Sequence, residues 1–194
     1  MHEDNLASAC SKGNSVAQKE LYDRYSDALY NTCYRYATDA SEADDFFQES
    51  FMLILRKIKK FRYHGEGSLK AWLIRLTINN CISQLRKKKQ KVELNTEEFE
   101  DAFSEEESET FFPENKHDFV NRANFSQEEL LMELQKLPEN FRMVFNLHVI
   151  EGMKHKEIAA LLQINEKTSK TRLFRAKIML QKQLYDKVLE TKTI

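Results

Sequence analysis

Glycine and proline are scarce in this sequence, with four Gly and two Pro among 194 residues. Because sheet proteins need these residues at many tight turns, their scarcity argues against an all-β fold. Leu, Lys, Glu, Gln and Arg dominate instead, and all five favour helices. The composition therefore predicts an all-α protein.

Cysteine is also sparse, since Cys10, Cys33 and Cys81 are isolated thiols without a C-x-x-C spacing. A small, odd number of cysteines indicates reduced side chains rather than a disulfide framework. The first residues form no apolar signal-peptide core, and no segment approaches the ~18 continuous apolar residues of a membrane span. We expect a soluble, cytoplasmic protein without a membrane span.

Charge is unevenly distributed, although the formal net charge of the whole chain is only −1. The stretch 93–118 contains eleven acidic residues and one lysine, whereas the segments before and after it are basic. Two basic modules around an acidic segment suit a protein that holds a polyanion at two places. We predict two small helical domains, 1–92 and 125–194, joined by an acidic and flexible linker at 93–124.

Apolar residues in the first domain recur at the helical period. A long helix is predicted to begin near Ser15, with a buried stripe formed by Leu21, Tyr25, Leu29 and Cys33. A second helix, 42–60, is predicted because Ser41 and Asp44 have a spacing close to that of a capping box. Its core stripe consists of Phe47, Phe51, Ile54, Leu55 and Ile58.

Four polar residues on this second helix fall largely off its apolar stripe and should project outward: Asp44, Asp45, Gln48 and Glu49. A solvated helix end and a protein-docking surface both explain such a patch. A catalytic site would need converging carboxylates or a metal-ligand spacing, and the sequence offers neither. We therefore predict no catalytic residue, no metal site and no cofactor.

The loop from Phe61 to Ser68 contains half of the glycines in the chain and the cation Arg62. It also contains the aromatic side chains of Phe61 and Tyr63 and the imidazole of His64. Such a loop can hold an unstacked base, although an ordinary interhelix loop explains it as well. Ser68 can cap the helix that follows. The polar face of that helix would track a phosphate backbone, and it consists of Lys70, Arg75, Asn79 and the run Arg86, Lys87, Lys88 and Lys89.

The second domain has the pattern of a helix-turn-helix. A helix is predicted at 127–137, and Pro138 begins the next, whose buried stripe ends at His148. A further helix pair turns at Gln163-Ile164, and Asn165 can cap its second member. That member should pack through Leu173, Phe174, Ile178 and Leu180. Its outward face should carry Lys167, Thr168, Lys170, Thr171, Arg172 and Arg175, which suits the major groove of DNA.

These segments together resemble the extracytoplasmic-function (ECF) sigma factors of bacterial RNA polymerase. The resemblance is carried by LYDRYSDALYNTCYRYATDASEADDFFQESF, then FRYHGEGSLKAWLIRLTINNCISQLRKKK, then LQKLPENFRMVFNLHVIEGMKHKEIAALLQINEKTSKTRLFRAKIML. Four positions depart from the family pattern: Lys154 replaces a common Ser or Thr cap, Gln163 a turn glycine, Ser169 an apolar residue, and Ser83 an aspartate.

The resemblance implies a role for each group of residues. Asp44, Asp45, Gln48 and Glu49 would dock on the beta-prime clamp helices of core RNA polymerase. The loop from Phe61 to Ser68 would trap a flipped base of the −10 promoter element, with Asn79 reading this element. Lys70, Arg75 and the cations Arg86, Lys87 and Lys88 would lie near the strand. The helix after Asn165 would read the −35 element, while the beta flap and an anti-sigma protein would be further partners.

Two other classes of protein stay open at this stage. A stand-alone helix-turn-helix regulator would share the second domain, but it needs neither the acidic helix nor the aromatic loop. Such a regulator should also bind duplex DNA unaided, generally as a dimer. A metal-dependent nuclease using Asp44, Asp45 and Glu49 is the third possibility, for which a second ligand cluster is missing.

Overall fold

A computed structural model describes residues 1–92 and 125–192. Within these two ranges every regular element is helical, which confirms the predicted all-α fold. The chain divides into two units after Val92. The predicted acidic linker, 93–124, lies outside the described residues.

The first unit consists of four helices. They are α1 (Glu3–Ser11), α2 (Ser15–Tyr36), α3 (Ala40–Lys57) and α4 (Ser68–Val92), and a 3₁₀ turn at Ile58–Lys60 extends α3. Helix α2 begins at Ser15, as predicted, after a turn that follows α1. Gly13 has a φ of +78°, which an L side chain rarely adopts, and the Asn14 side chain accepts a hydrogen bond from the Ala17 amide.

The start of α3 differs from the prediction. Asp39, not Ser41, is the N-cap, and its carboxylate accepts a hydrogen bond of 2.8 Å from the Glu42 amide. The Glu42 side chain reaches back to the Thr38 amide at 2.7 Å. The helix therefore begins two residues earlier than expected, because Asp39 satisfies a free amide of its first turn.

The core of the first unit lies among all four helices. The predicted stripe on α2 is buried, and it packs against Leu6 of α1 and against Leu69 and Leu73 of α4. On α3 the prediction is partly wrong, because the fully buried face is Ala43, Phe46, Ser50 and Ile54. Phe47, Phe51 and Leu55 are only partly buried, at the edge of this core.

Two of the three cysteines meet inside this core. The sulfur atoms of Cys33 on α2 and Cys81 on α4 lie 3.9 Å apart, and both residues are fully buried. Their mutual contact, followed by burial, raises the pKa of Cys81. All three cysteines are free thiols, as the sequence predicts.

The second unit also contains four described helices. They are α5 (Gln127–Gln135), α6 (Glu139–Phe145), α7 (His155–Leu162) and α8 (Glu166–Lys192), and a π-helical turn at Asn146–Ile150 extends α6. Ser126 caps α5 through a complete capping box with Glu129. Pro138 lies at the N-cap of α6, and Gly152, with a φ of +68°, ends the π-helical turn.

In the second unit, buried apolar side chains pack α5 and α8 against the helices between them. Leu134, Leu137 and Ala176 form one cluster, into which Phe141 and Phe145 pack. Buried polar groups add specific contacts: Arg142 donates a 2.6 Å hydrogen bond to the Gln135 carbonyl. Lys187 of α8 pairs with Glu129 of α5 at 3.3 Å. These contacts fix the end of α8 against the start of the domain.

Candidate nucleic-acid interface

The acidic face of α3 consists of Asp44, Asp45, Gln48 and Glu49. All four side chains are exposed, as predicted. Asp45 and Glu49 are one helical turn apart, so they lie on the same side of α3. The Tyr30 hydroxyl hydrogen-bonds Asp44, and burial followed by this carboxylate raises the pKa of Tyr30. The acidic face is thus backed by α2.

Aromatic rings border the acidic face. Tyr22 of α2 meets Phe47 and Phe51 of α3 edge-on, with ring centroids 5.9 and 5.3 Å apart. Tyr30 meets Phe47 at 5.9 Å. Tyr22 is exposed, and the neighbouring Met52 has an exposed fraction of 61%. Exposed apolar side chains therefore lie beside the outward carboxylates of α3.

Helices α3 and α4 are pinned together by polar contacts. Lys88 pairs with Glu42 at 2.8 Å, and Asn80 donates a 3.0 Å hydrogen bond to the buried Ser50 hydroxyl. Burial would raise the pKa of Glu42, but hydrogen bonds from Lys88 and Thr38 outweigh burial and lower this pKa. Lys88, predicted to contact DNA, therefore has a structural contact as well.

One predicted contact residue in the loop after α3, Phe61, is buried instead of exposed. Phe61 has an exposed fraction of only 7% and packs edge-on against Trp72, with ring centroids 5.8 Å apart. The 3₁₀ turn directs its ring into the core, so the prediction of a base contact by Phe61 is corrected. Arg62, Tyr63 and His64 are exposed. Gly65 and Gly67 follow with φ values of +117° and +81°.

Ser68 does not cap α4 in the way that was predicted. Its hydroxyl accepts a 3.3 Å hydrogen bond from the His64 amide, which lies within the loop itself. The first amide of α4 beyond it, that of Leu69, donates instead to the Glu3 carboxylate at 3.0 Å. Ser68 thus shapes the loop, and a residue of α1 caps the helix.

Three polar residues of α4 share one face. Arg75, Asn79 and Arg86 are separated by four and seven residues, which places them on one line along the helix. Arg75 and Asn79 are exposed, and Arg86 is half-buried. Lys70 and Lys87 are exposed too, but the helical period places both off this line. The structure therefore aligns part of the predicted contact set along α4, the helix that follows the loop.

The turn between α7 and α8 is a tight helix-turn-helix turn. Gln163 has a φ of +58°, the left-handed conformation for which the family usually has glycine. Asn165 caps α8, because its side chain accepts a 2.6 Å hydrogen bond from the Thr168 amide. Ala159, a small residue on α7, is buried. The substitution at Gln163 keeps the geometry of the turn.

The polar residue Ser169, at a position where the resemblance led us to expect an apolar residue, is fully buried. Its hydroxyl lies 2.9 Å from Nδ1 of His155, at the start of α7. His155 in turn stacks on His148, with ring centroids 4.3 Å apart. His148 donates from Nδ1 to the Met153 carbonyl at 2.9 Å. The buried hydroxyl is therefore satisfied by a histidine pair that the sequence did not reveal.

This histidine pair makes the stability of the second unit sensitive to pH. Burial lowers the pKa of His155, and the charges of His148 and Lys170 lower it further. The unfolded chain, where the pKa is 6.5, then binds more protons than the fold. We expect resistance to urea to fall as the pH drops below about 6.5, as followed by NMR signals of this unit. His155→Gln should remove that part of the pH dependence, and an unchanged pH profile would contradict it.

The outward face of α8 matches the prediction only in part, since two of the six predicted residues are exposed. Lys167 and Lys170 are exposed, whereas Thr168, Thr171, Arg172 and Arg175 are half-buried at the edge of the same face. Lys170 pairs with Glu166 at 2.8 Å. Phe174 was predicted to pack, but its exposed fraction is 47%, since the buried neighbour Leu173 already fills the core position. An exposed ring therefore joins the cations of α8.

Comparison with known proteins identifies the family. Residues 21–91 match the profile described as Sigma-70 region 2, and residues 127–180 match Sigma-70, region 4. The ECF RNA polymerase sigma factor SigW of Bacillus subtilis (strain 168) is 32% identical over 179 residues, which cover 90% of this chain and 92% of that protein. The chain belongs to the ECF family of RNA polymerase sigma factors.

This ECF sigma factor is also similar to other known proteins. It is 27% identical over 190 residues to the RNA polymerase sigma-H factor of Pseudomonas aeruginosa, covering 94% of this chain and 93% of that protein. A solved structure of the sigma factor RpoE with the anti-sigma factor NepR from Bartonella quintana is 22% identical, with a TM-score of 0.49 over 84% of this chain and 94% of that one. A stand-alone regulator is not favoured.

Two features of this sigma factor escaped the sequence patterns. Glu3 contacts the start of α4 from 66 residues away, and no local motif marks such a pair. Phe174 could have been found, because it is one residue from Leu173 and so about 100° from the buried stripe.

Two negative findings, on metal sites and on membrane spans, apply only to residues 1–92 and 125–192. No group of three His, Cys, Asp or Glu there could hold a metal ion, and no helix there is long and apolar enough to cross a membrane.

Proposed function

We propose that this sigma factor docks on core RNA polymerase through the acidic face of α3 and its bordering rings. Three observations support this role: the four polar residues are exposed, they lie on one helix, and Tyr22 and Met52 add exposed apolar surface beside them. An acidic and partly apolar face suits a basic helical partner, and by resemblance to the family we propose the beta-prime clamp helices as that partner.

The same proposal assigns promoter recognition to two separate surfaces. Residues 1–92 would hold the single-stranded −10 element, with Arg62, Tyr63 and His64 in the loop and Arg75, Asn79 and Arg86 beside it. Residues 125–194 would read the −35 duplex through α8, and 93–124 would act as the linker. Exposed rings and cations suit unstacked bases, whereas a capped helix with outward cations suits the major groove.

The remaining expectations follow from membership of the family. We propose that the second domain also meets the beta flap and that an anti-sigma protein is a further partner. The sigma factor would act in the cytoplasm and contribute no catalytic step, because its binding energy is used to position polymerase on the promoter. Its specificity would come from base edges and flipped bases rather than from chemistry on the DNA.

Run-off transcription tests the proposed function. Purified core polymerase is mixed with genomic fragments, with and without this sigma factor. The proposal predicts transcripts that begin at discrete sites only when the sigma factor is present. Core polymerase that begins at the same sites without it, or that gives no discrete transcripts with it, would contradict the proposal.

The exposed ring of Phe174 should contribute to binding of the −35 duplex. Because nearly half of this ring is exposed on the cationic face of α8, Phe174→Ala should lower the affinity for duplex DNA by roughly threefold to tenfold, without lowering the melting temperature. Fluorescence anisotropy with a labelled duplex measures the affinity. Met132→Ala on α5 is the matched control, since it also removes an exposed apolar side chain. An effect of equal size in both variants would count against a contact by Phe174.

A further inference from the structure

The first residues of the chain lie against the proposed −10 site, although they precede the residues 21–91 that match Sigma-70 region 2. The ring of His2 meets the ring of Tyr63 edge-on, with centroids 5.0 Å apart. Nε2 of His2 is 3.3 Å from the Tyr63 hydroxyl. Tyr63, in the loop between α3 and α4, therefore has a partner from 61 residues earlier in the chain.

The next residue, Glu3, holds the other end of the same loop. One carboxylate oxygen accepts the Leu69 amide at 3.0 Å, and the other accepts the Tyr25 hydroxyl at 3.2 Å. A carboxylate at the start of α4 also complements the dipole of that helix. Glu3 thus ties the end of the loop both to α1 and to the core tyrosine of α2.

Both residues are mounted on a helix that cannot shift without disturbing the core. Leu6, Ala7 and Cys10 of α1 are buried among the residues that surround Phe61 and Leu69. In addition, Arg24 of α2 donates a 2.9 Å hydrogen bond to the Met1 carbonyl. The position of His2 and Glu3 is therefore fixed relative to both ends of the loop.

We propose that His2 and Glu3 are positioning residues of the −10 site, a role that rests on the proposed function. The loop contains two glycines with positive φ, Gly65 and Gly67, and such a backbone has many alternative conformations. Contacts at Tyr63 and at Leu69 restrict these conformations before DNA arrives. A preorganised loop loses less entropy when it closes around a flipped base, so the base binds more tightly.

Binding of the complete polymerase to a labelled single-stranded −10 oligonucleotide measures this role. His2→Ala should weaken that binding by about threefold to tenfold, because it removes one ring contact. His2→Phe, which keeps the ring, should recover most of the loss. Asp4→Ala, one residue beyond the pair and exposed, should bind like the unchanged protein. Binding of a −35 duplex should be the same in all of these variants.

Double variants that include Tyr63→Ala test whether His2 acts through Tyr63 and Glu3 through Leu69. With Tyr63→Ala present, His2→Ala should cause no further loss, since His2 acts through Tyr63. Glu3→Ala should weaken oligonucleotide binding even with Tyr63→Ala, because it acts through Leu69. An unchanged affinity for His2→Ala, or an equal loss with and without Tyr63, would overturn the proposal. If the unchanged protein with core polymerase binds no −10 oligonucleotide, the proposed function itself fails.

Discussion

Reversing two charges on the acidic face, through Asp45→Arg and Glu49→Arg, will lower the affinity of this sigma factor for core polymerase by roughly 10- to 100-fold. Both side chains are exposed and one helical turn apart, so the variant presents two cations where the partner expects two anions. Like-charge repulsion across an interface is more costly than the loss of a contact. Titration of the sigma factor over core polymerase immobilised on a sensor surface measures the affinity.

The fold should tolerate this double reversal. Neither side chain is buried, and surface substitutions of this kind usually change the free energy of unfolding by about 0.5 kcal/mol or less. Asp4→Lys on α1 is the matched control, because it reverses an exposed charge at a distant helix start. We expect the control to bind polymerase normally. If the control and the double variant lose the same affinity, the effect is one of net charge and the acidic face is not the docking site.

Removing two cations from α8, through Arg172→Gln and Arg175→Gln, should lower affinity for a −35 duplex by roughly 10- to 100-fold. Both residues lie at the edge of the outward face, beside Thr168, Thr171 and Phe174. If each arginine neutralises one phosphate, the slope of log binding constant against log salt concentration should become less negative by about 0.9 for each arginine removed. If an arginine reads a base instead, discrimination among sequences should fall while the salt slope is kept.

Titrations of a duplex with anisotropy at several salt concentrations separate these two roles. Lys182→Gln is the matched control, since it removes one charge from the same helix two turns further along, where no DNA contact is proposed. The control should keep both the affinity and the salt slope. A double arginine variant with unchanged affinity and slope would remove these residues from the −35 surface.

The helical fold was predictable because it follows from periodic, local signals. The stripe on α2 and the Asn165 cap each depend on residues within a few positions of one another. The outward acids of α3 followed from the same period. Such signals fix which residues face inward along one helix, and most of the candidate site lies on helices.

The remaining features depend on partners that are distant in the sequence. Phe61 is buried because a 3₁₀ turn points it at Trp72, and a sequence pattern does not distinguish this turn from the start of an open loop. The cap of α4 comes from Glu3, and the partner of the buried Ser169 is His155. Asp39 caps α3 instead of the predicted Ser41, and Glu42 reaches back to the Thr38 amide at the same end.

Permanganate and nuclease footprinting on a promoter found by run-off transcription tests the central claim most directly. That claim is that this sigma factor binds polymerase through α3 while its two domains bind separate promoter elements. The account predicts protection of both the −35 and −10 elements, with reactive unpaired thymines at −10, only when core polymerase and this sigma factor are both present. Protection of a single duplex site by the sigma factor alone, unchanged when polymerase is added, would contradict it.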